Sequence, residues 1–134
     1  MNYQPSLLKN GPYAALRERL FTPWMDVPQL QDSTERMAEL GMLAIYSEFL
    51  PESGFREIYW RPQVPVFFEV RSGRTLREFL QYQQTNAERG WKLLTLHISG
   101  PGDFFSAVWM DDAGHADALP VLEGLGIGMA GASE

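Results

Sequence analysis

Apolar residues recur at helical spacing in three stretches of the chain and at every second position in the segments between them. Tyr13 to Phe21 carries apolar residues at 13, 16, 20 and 21 behind Pro12, which suits a first helical position, and Thr22-Pro23 stops the run. Trp24 and Met25 follow in a connector too apolar to be a free linker, so it is expected to lie against the body. Asp26 can cap a helix at 28–40 with Pro28 in its first turn, Leu30, Met37 and Leu40 toward one side, and Gly41 closing it. A later start capped by Asp32 or Ser33 is equally readable. The period then changes to two: Leu43, Ile45, Ser47 and Phe49 alternate with Ala44, Tyr46 and Glu48, which predicts a strand. Pro51-Glu52-Ser53-Gly54 turns, and Phe55 to Trp60 returns. Val64, Val66, Phe68 and Val70 predict a third strand ended by Ser72-Gly73, with Pro65 marking an edge or a strand start. Thr75 opens a helix with Leu76, Phe79, Leu80, Gln83 and Ala87 on one face and Gly90 behind it. Trp91 to Ser99, the turn Gly100 to Asp103, and Phe104 to Met110 form a second hairpin. Asp117 can cap a short last helix at 118–122, where Pro120 fits only the first turn.

Laying residues 36–62 over 85–111 without gaps, at an offset of 49, pairs Ala38 with Ala87, Glu39 with Glu88, Gly41 with Gly90, Phe55 with Phe104 and Trp60 with Trp109. The repeated unit reads helix, glycine, strand, turn, strand. A helix on one hairpin cannot bury its own apolar face, so the two copies are expected to merge. The expected fold class is α+β, with two helix-hairpin repeats forming one antiparallel sheet of about five strands and the helices packed on one side. The expected organisation is a single domain: a helical segment at 1–25, repeat units at 26–62 and 63–111, and an acidic glycine-rich tail at 112–134.

Val70-Arg71-Ser72-Gly73-Arg74-Thr75, Phe79, Gly90-Trp91-Lys92-Leu93 and Phe104-Phe105-Ser106-Ala107-Val108-Trp109 together resemble the bacterial tandem-repeat domain that accompanies polyglycine hydrolase-like proteins. The shared features are a Gly-aromatic-basic-Leu strand after a helix and a returning strand ending Ala-hydrophobic-Trp. The resemblance implies a structural repeat without catalytic residues of its own. The predicted element order in a small acidic chain is also similar to the dimeric chaperones of type III secretion effectors, which implies an interaction role.

Composition changes this picture mainly by exclusion. With 134 residues, 45% hydrophobic and 13% aromatic, the chain has the makings of one folded domain. Without cysteine there is no disulfide, thiolate metal site or thiol nucleophile, which suits a reducing compartment. The first residues lack the pattern of a secretory signal and no apolar run is long enough to span a membrane, so a cytoplasmic location without membrane association is expected. All 11 basic residues lie before residue 111, while Asp111, Asp112, Asp117, Glu123 and Glu134 follow. A net charge of −6 with no basic stripe argues against a nucleic-acid partner.

Few residues carry candidate chemistry. Arg71, Arg74 and Arg77 flank the start of the helix opened by Thr75, where backbone N–H groups favour anions, and could hold a phosphate or an acidic peptide. His97 is expected on the solvent face of its strand. His115 lies among Asp111, Asp112 and Asp117, but without a recognised ligand spacing, so no metal and no cofactor are expected. Gly126 to Gly131 matches a dinucleotide fingerprint literally yet lacks the strand-helix setting that fingerprint needs. No nucleophile, base and acid set can be assembled, so no catalytic residue is assigned. Trp24, Phe67, Tyr82 and Trp91 are the aromatic candidates for an interface. The expected function is a non-catalytic module that binds another protein, with a second copy of itself among the candidates, through a sheet edge or an aromatic face; a chaperone-like dimer, or a small enzyme or ligand binder built on the three arginines, are the alternatives.

Overall fold

A computed structural model describes residues 17–99 and 102–128. The fold is α+β. Its elements are α1 (Val27–Glu39), β1 (Leu43–Leu50), β2 (Gly54–Trp60), β3 (Phe68–Arg74), α2 (Leu76–Glu88), β4 (Lys92–Ser99), β5 (Phe104–Met110) and α3 (Asp112–Leu125). Residues 17–19 are also helical, and the rest of the helix read at 13–21 falls partly outside the described residues. No helix among the described residues is long and apolar enough to cross a membrane.

Local chemistry sets both long helices. Asp26 accepts from the Gln29 backbone N–H at 2.9 Å while the Gln29 side chain accepts from the Asp26 N–H at 2.9 Å, and Thr75 and Glu78 form the same reciprocal cap on α2. Both helices hand over to a glycine at positive φ, Gly41 at 83° and Gly90 at 81°.

The single sheet of five strands expected above is not what forms. The strands divide into two antiparallel sheets, β1-β2 and β3-β5-β4. Both hairpins carry an irregularity at the corresponding place, between Ala44 and Tyr46 and between Leu93 and Thr95. Their returning strands are not aligned as the gapless overlay has them. Ile58 faces Tyr46 and Val108 faces Thr95, so the first strands correspond at an offset of 49 and the second at 50. Structurally Phe55 therefore matches Phe105, and Tyr59 matches Trp109. The identities at Phe104 and Trp109 are sequence echoes displaced by one residue in the ladder.

Two further boundaries move. β3 starts at Phe68 and runs through Ser72-Gly73, because Gly73 at φ 65° lies within the register break between Arg71 and Arg74 instead of ending the strand. The stretch expected to be a tail is α3 as far as Leu125, capped by Asp111, whose side chain accepts from the Gly114 N–H at 2.7 Å, and Pro120 lies inside it.

The core is formed by Leu43, Ile45, Ile58, Leu94, Val108, Met110, Ala118 and Leu122, all at 1% exposure or less. β1 lies beside β4, where Tyr46 meets His97 edge to face at 4.8 Å, and Phe55 of β2 meets Phe104 of β5 at 5.7 Å. The connector after residue 20 does lie on the body. Its Met25 and β2's Phe55 exchange backbone hydrogen bonds of 2.7 and 2.8 Å, and the Thr22 N–H donates to the Glu57 carbonyl at 2.9 Å, which pairs this strip with the outer edge of β2.

Candidate functional site

The three arginines begin from a common local cause: β3 ends where α2 begins, so they cluster at that junction. Arg71 is bonded to Glu69 at 2.8 Å, lies 3.5 Å from Glu35 and covers the Tyr82 ring at 4.8 Å. Arg74 is paired with Glu35 as well and lies 3.8 Å from Glu78. Glu35, on α1, thus occupies the space between the two guanidinium groups, and an incoming anion would have to displace it. Arg77 is exposed and forms no ion pair among the described residues.

The aromatic candidates separate into two kinds. Trp24 is half-buried beneath Arg56, whose guanidinium is held between Phe21 at 3.8 Å and Trp24 at 4.5 Å and is bonded to Glu18 and Glu48. Tyr82 is half-buried against Trp109, at 6.3 Å between ring centres. Trp91 is half-buried as well, and Phe67 is the one that differs. Phe67 is 68% exposed, the most exposed large apolar side chain among the described residues, and its ring lies nearly parallel to that of Trp91 (11°, 6.2 Å). Arg89 covers the Trp91 ring at 4.5 Å.

Phe67 is displayed on a fixed backbone. The Asp111 carboxylate accepts from the Phe67 N–H at 3.1 Å, and the Asp111 N–H donates to the Phe67 carbonyl at 3.1 Å. The same carboxylate caps α3, so one residue ties the approach to β3, the end of β5 and α3 together. On the Trp91 side, His115 Nε2 donates to the Lys92 carbonyl at 3.0 Å. His115 is therefore engaged with the backbone, and among the described residues no three His, Asp or Glu side chains gather as a metal site would require.

His97 corrects the sequence reading. It is largely enclosed, between Tyr46 and residues of the gap between the two sheets, and Nε2 is buried without a partner among the described residues. Burial pushes its imidazole down to about 4, with the Ile45 backbone pulling the other way. It is neutral at neutral pH.

Sequence reasoning also missed Glu57. Its carboxyl is fully buried on β2, with Oε1 accepting from Thr34 Oγ1 on α1 at 2.8 Å and Oε2 from Ser72 Oγ on β3. Tyr59 stands beside it and bonds Ser33 at 2.6 Å. Strand alternation puts Glu57 on the same face as Phe55 and Tyr59, but its carboxyl reads as polar; the further signal was that Thr34 and Ser72 are small hydroxyl residues in line with the apolar Leu30 and Val70. Comparison of the chain with protein-family models, curated proteins and solved structures finds no match to any of them.

Proposed function

We propose that the protein is a non-catalytic module that binds another protein through the Phe67–Trp91 face. The observation that carries this reading is the exposed Phe67 ring, stacked on the half-buried Trp91 and carried on a backbone pinned at both of Phe67's peptide groups by Asp111. Rigid aromatic side chains give large contact area with little ordering cost, and a neighbouring arginine suits a central anchor. The face is favoured over a sheet edge because the edge of β2 is already paired and Gln31 of α1 bonds the Gly73 carbonyl of β3 at 2.9 Å. Cytoplasmic residence and a repeat-module ancestry fit this role. A dimeric chaperone is the second reading, supported by the element order of one helix, three strands, a helix, two strands and a helix.

Affinity purification of the tagged full chain, alongside the Phe67→Ala Trp91→Ala double variant, tests the proposal. One near-stoichiometric partner is expected with the parent, and its affinity for the variant is expected to fall at least about thirtyfold, with circular dichroism unchanged. Equal capture by a folded variant, or recovery of the parent alone at low salt, overturns it. Light scattering of the isolated chain separates the second reading: a dimer unaffected by the double variant favours it.

A further inference from the structure

Among the described residues, the Glu57 carboxyl is the one group through which side-chain hydrogen bonds join α1, the β1-β2 sheet and the β3-β5-β4 sheet. Thr34 reaches it from α1 and Ser72 from β3, while its own backbone holds the strip before α1, through Thr22 N–H at 2.9 Å and Thr22 Oγ1 at 3.0 Å. The groups facing it are hydroxyls: Thr34 from α1, Ser72 from β3 and Tyr59 from its own strand, the last bonded in turn to Ser33 of α1. Among the described residues Tyr59 is the only titratable group acting on it, and burial and the neighbouring Glu57 both push its phenol up, so Tyr59 stays neutral. The nearby cations Arg71 and Arg74 on β3 are turned to Glu35, Glu69 and Glu78. A carboxylate in this place would be a fully buried charge with no cation opposite among the described residues, which is the costly state.

We propose that Glu57 is a proton-operated latch: protonated, it fastens α1 to both sheets, and loss of the proton loosens α1. What such loosening uncovers is the Gly73 end of β3 and the Glu35 contact that holds Arg71 and Arg74 together. Burial pushes the Glu57 carboxyl up to about 7, with the Ser72 and Thr34 hydroxyls only partly opposing it. Since the value in the closed state is raised above that of an exposed carboxyl, the fastening is complete below about pH 4.5, weakens as pH rises toward 7 and is constant above it. His97 shifts the opposite way, down to about 4, so between roughly pH 4.5 and 6.5 the two groups offset each other in global unfolding. The latch is therefore read locally.

Hydrogen exchange of the α1 amides from Leu30 to Arg36, corrected for intrinsic rates, is the test. In the parent, protection is expected to fall about tenfold per pH unit between roughly pH 5 and 7 and to level off above that. In Glu57→Gln it is expected to be flat. A flat parent profile, or the same slope in both proteins, overturns the proposal. Where Glu57→Gln does not fold, the carboxyl carbon resonance of Glu57 in the parent decides: titration near 7 supports the latch, and titration near 4.5 refutes it.

Discussion

Replacing Trp109 with alanine is expected to destabilise the fold by about 4 kcal/mol, lowering the midpoint of thermal unfolding by about 10–15 °C. Trp109 has no exposed surface, and α2 rests on it. Its ring stacks on Phe79 at 5.7 Å and meets Tyr82 at 6.3 Å, and its indole N–H donates to Gln83 at 2.6 Å. Asn86 is the only fully buried residue of α2, so little else secures that helix. Removing the indole leaves a cavity beneath three side chains of one helix and strands the Gln83 carbonyl. Urea unfolding followed by far-ultraviolet circular dichroism measures the loss, and a cost below about 1 kcal/mol would show that α2 is held some other way. Trp109→Phe retains the stacking and is expected to recover most of the difference.

Gly54→Ala is expected to cost about 2–3 kcal/mol, because two separate effects add. Gly54 has φ 100°, which an L side chain seldom adopts, and a Cβ there would stand 2.4 Å from the Met25 carbonyl oxygen. That oxygen is rigid backbone and is the acceptor for Phe55, so relief of the clash means parting the strip Phe21 to Met25 from β2. Gly102 is the matched control: it has φ 97° but nothing within 4 Å of the added carbon, so Gly102→Ala is expected to cost only about 1 kcal/mol. Exchange of the Met25 and Phe55 amides should accelerate in the Gly54 variant alone. Equal destabilisation by the two substitutions would mean that the strip contributes nothing.

Helix boundaries were legible wherever a capping side chain opened the helix or a glycine at positive φ closed it. Asp26, Thr75, Gly41 and Gly90 each act within a few residues, and α1 and α2 begin and end beside them. Asp111 is the instructive failure: Asp117 is an equally good capping residue by type, and only the bond from Gly114 distinguishes them. Pro120 suits a first turn by type, yet it lies eight positions after Asp112, the first residue of α3. The division of the strands into two sheets could not be read, since pairing between strands distant in the chain leaves no local pattern. The one-residue offset between the hairpins arises at their turns, where chain geometry and not side-chain identity decides the register. At the candidate site composition points to the aromatic side chains Phe67 and Trp91, but their stacking across 24 residues of chain goes with the Asp111 bonds to the Phe67 backbone, which leave no mark in the sequence.

The pairing of Phe21 to Met25 with β2 also bears on how the chain is made. A hairpin formed during synthesis presents its outer strand as a template to any neighbouring nascent chain, and this is the stage at which association into aggregates is most favourable. The strip lies upstream of β2, so it has already left the ribosome when β2 emerges. The polypeptide carries its own competitor for that template, present before the template exists.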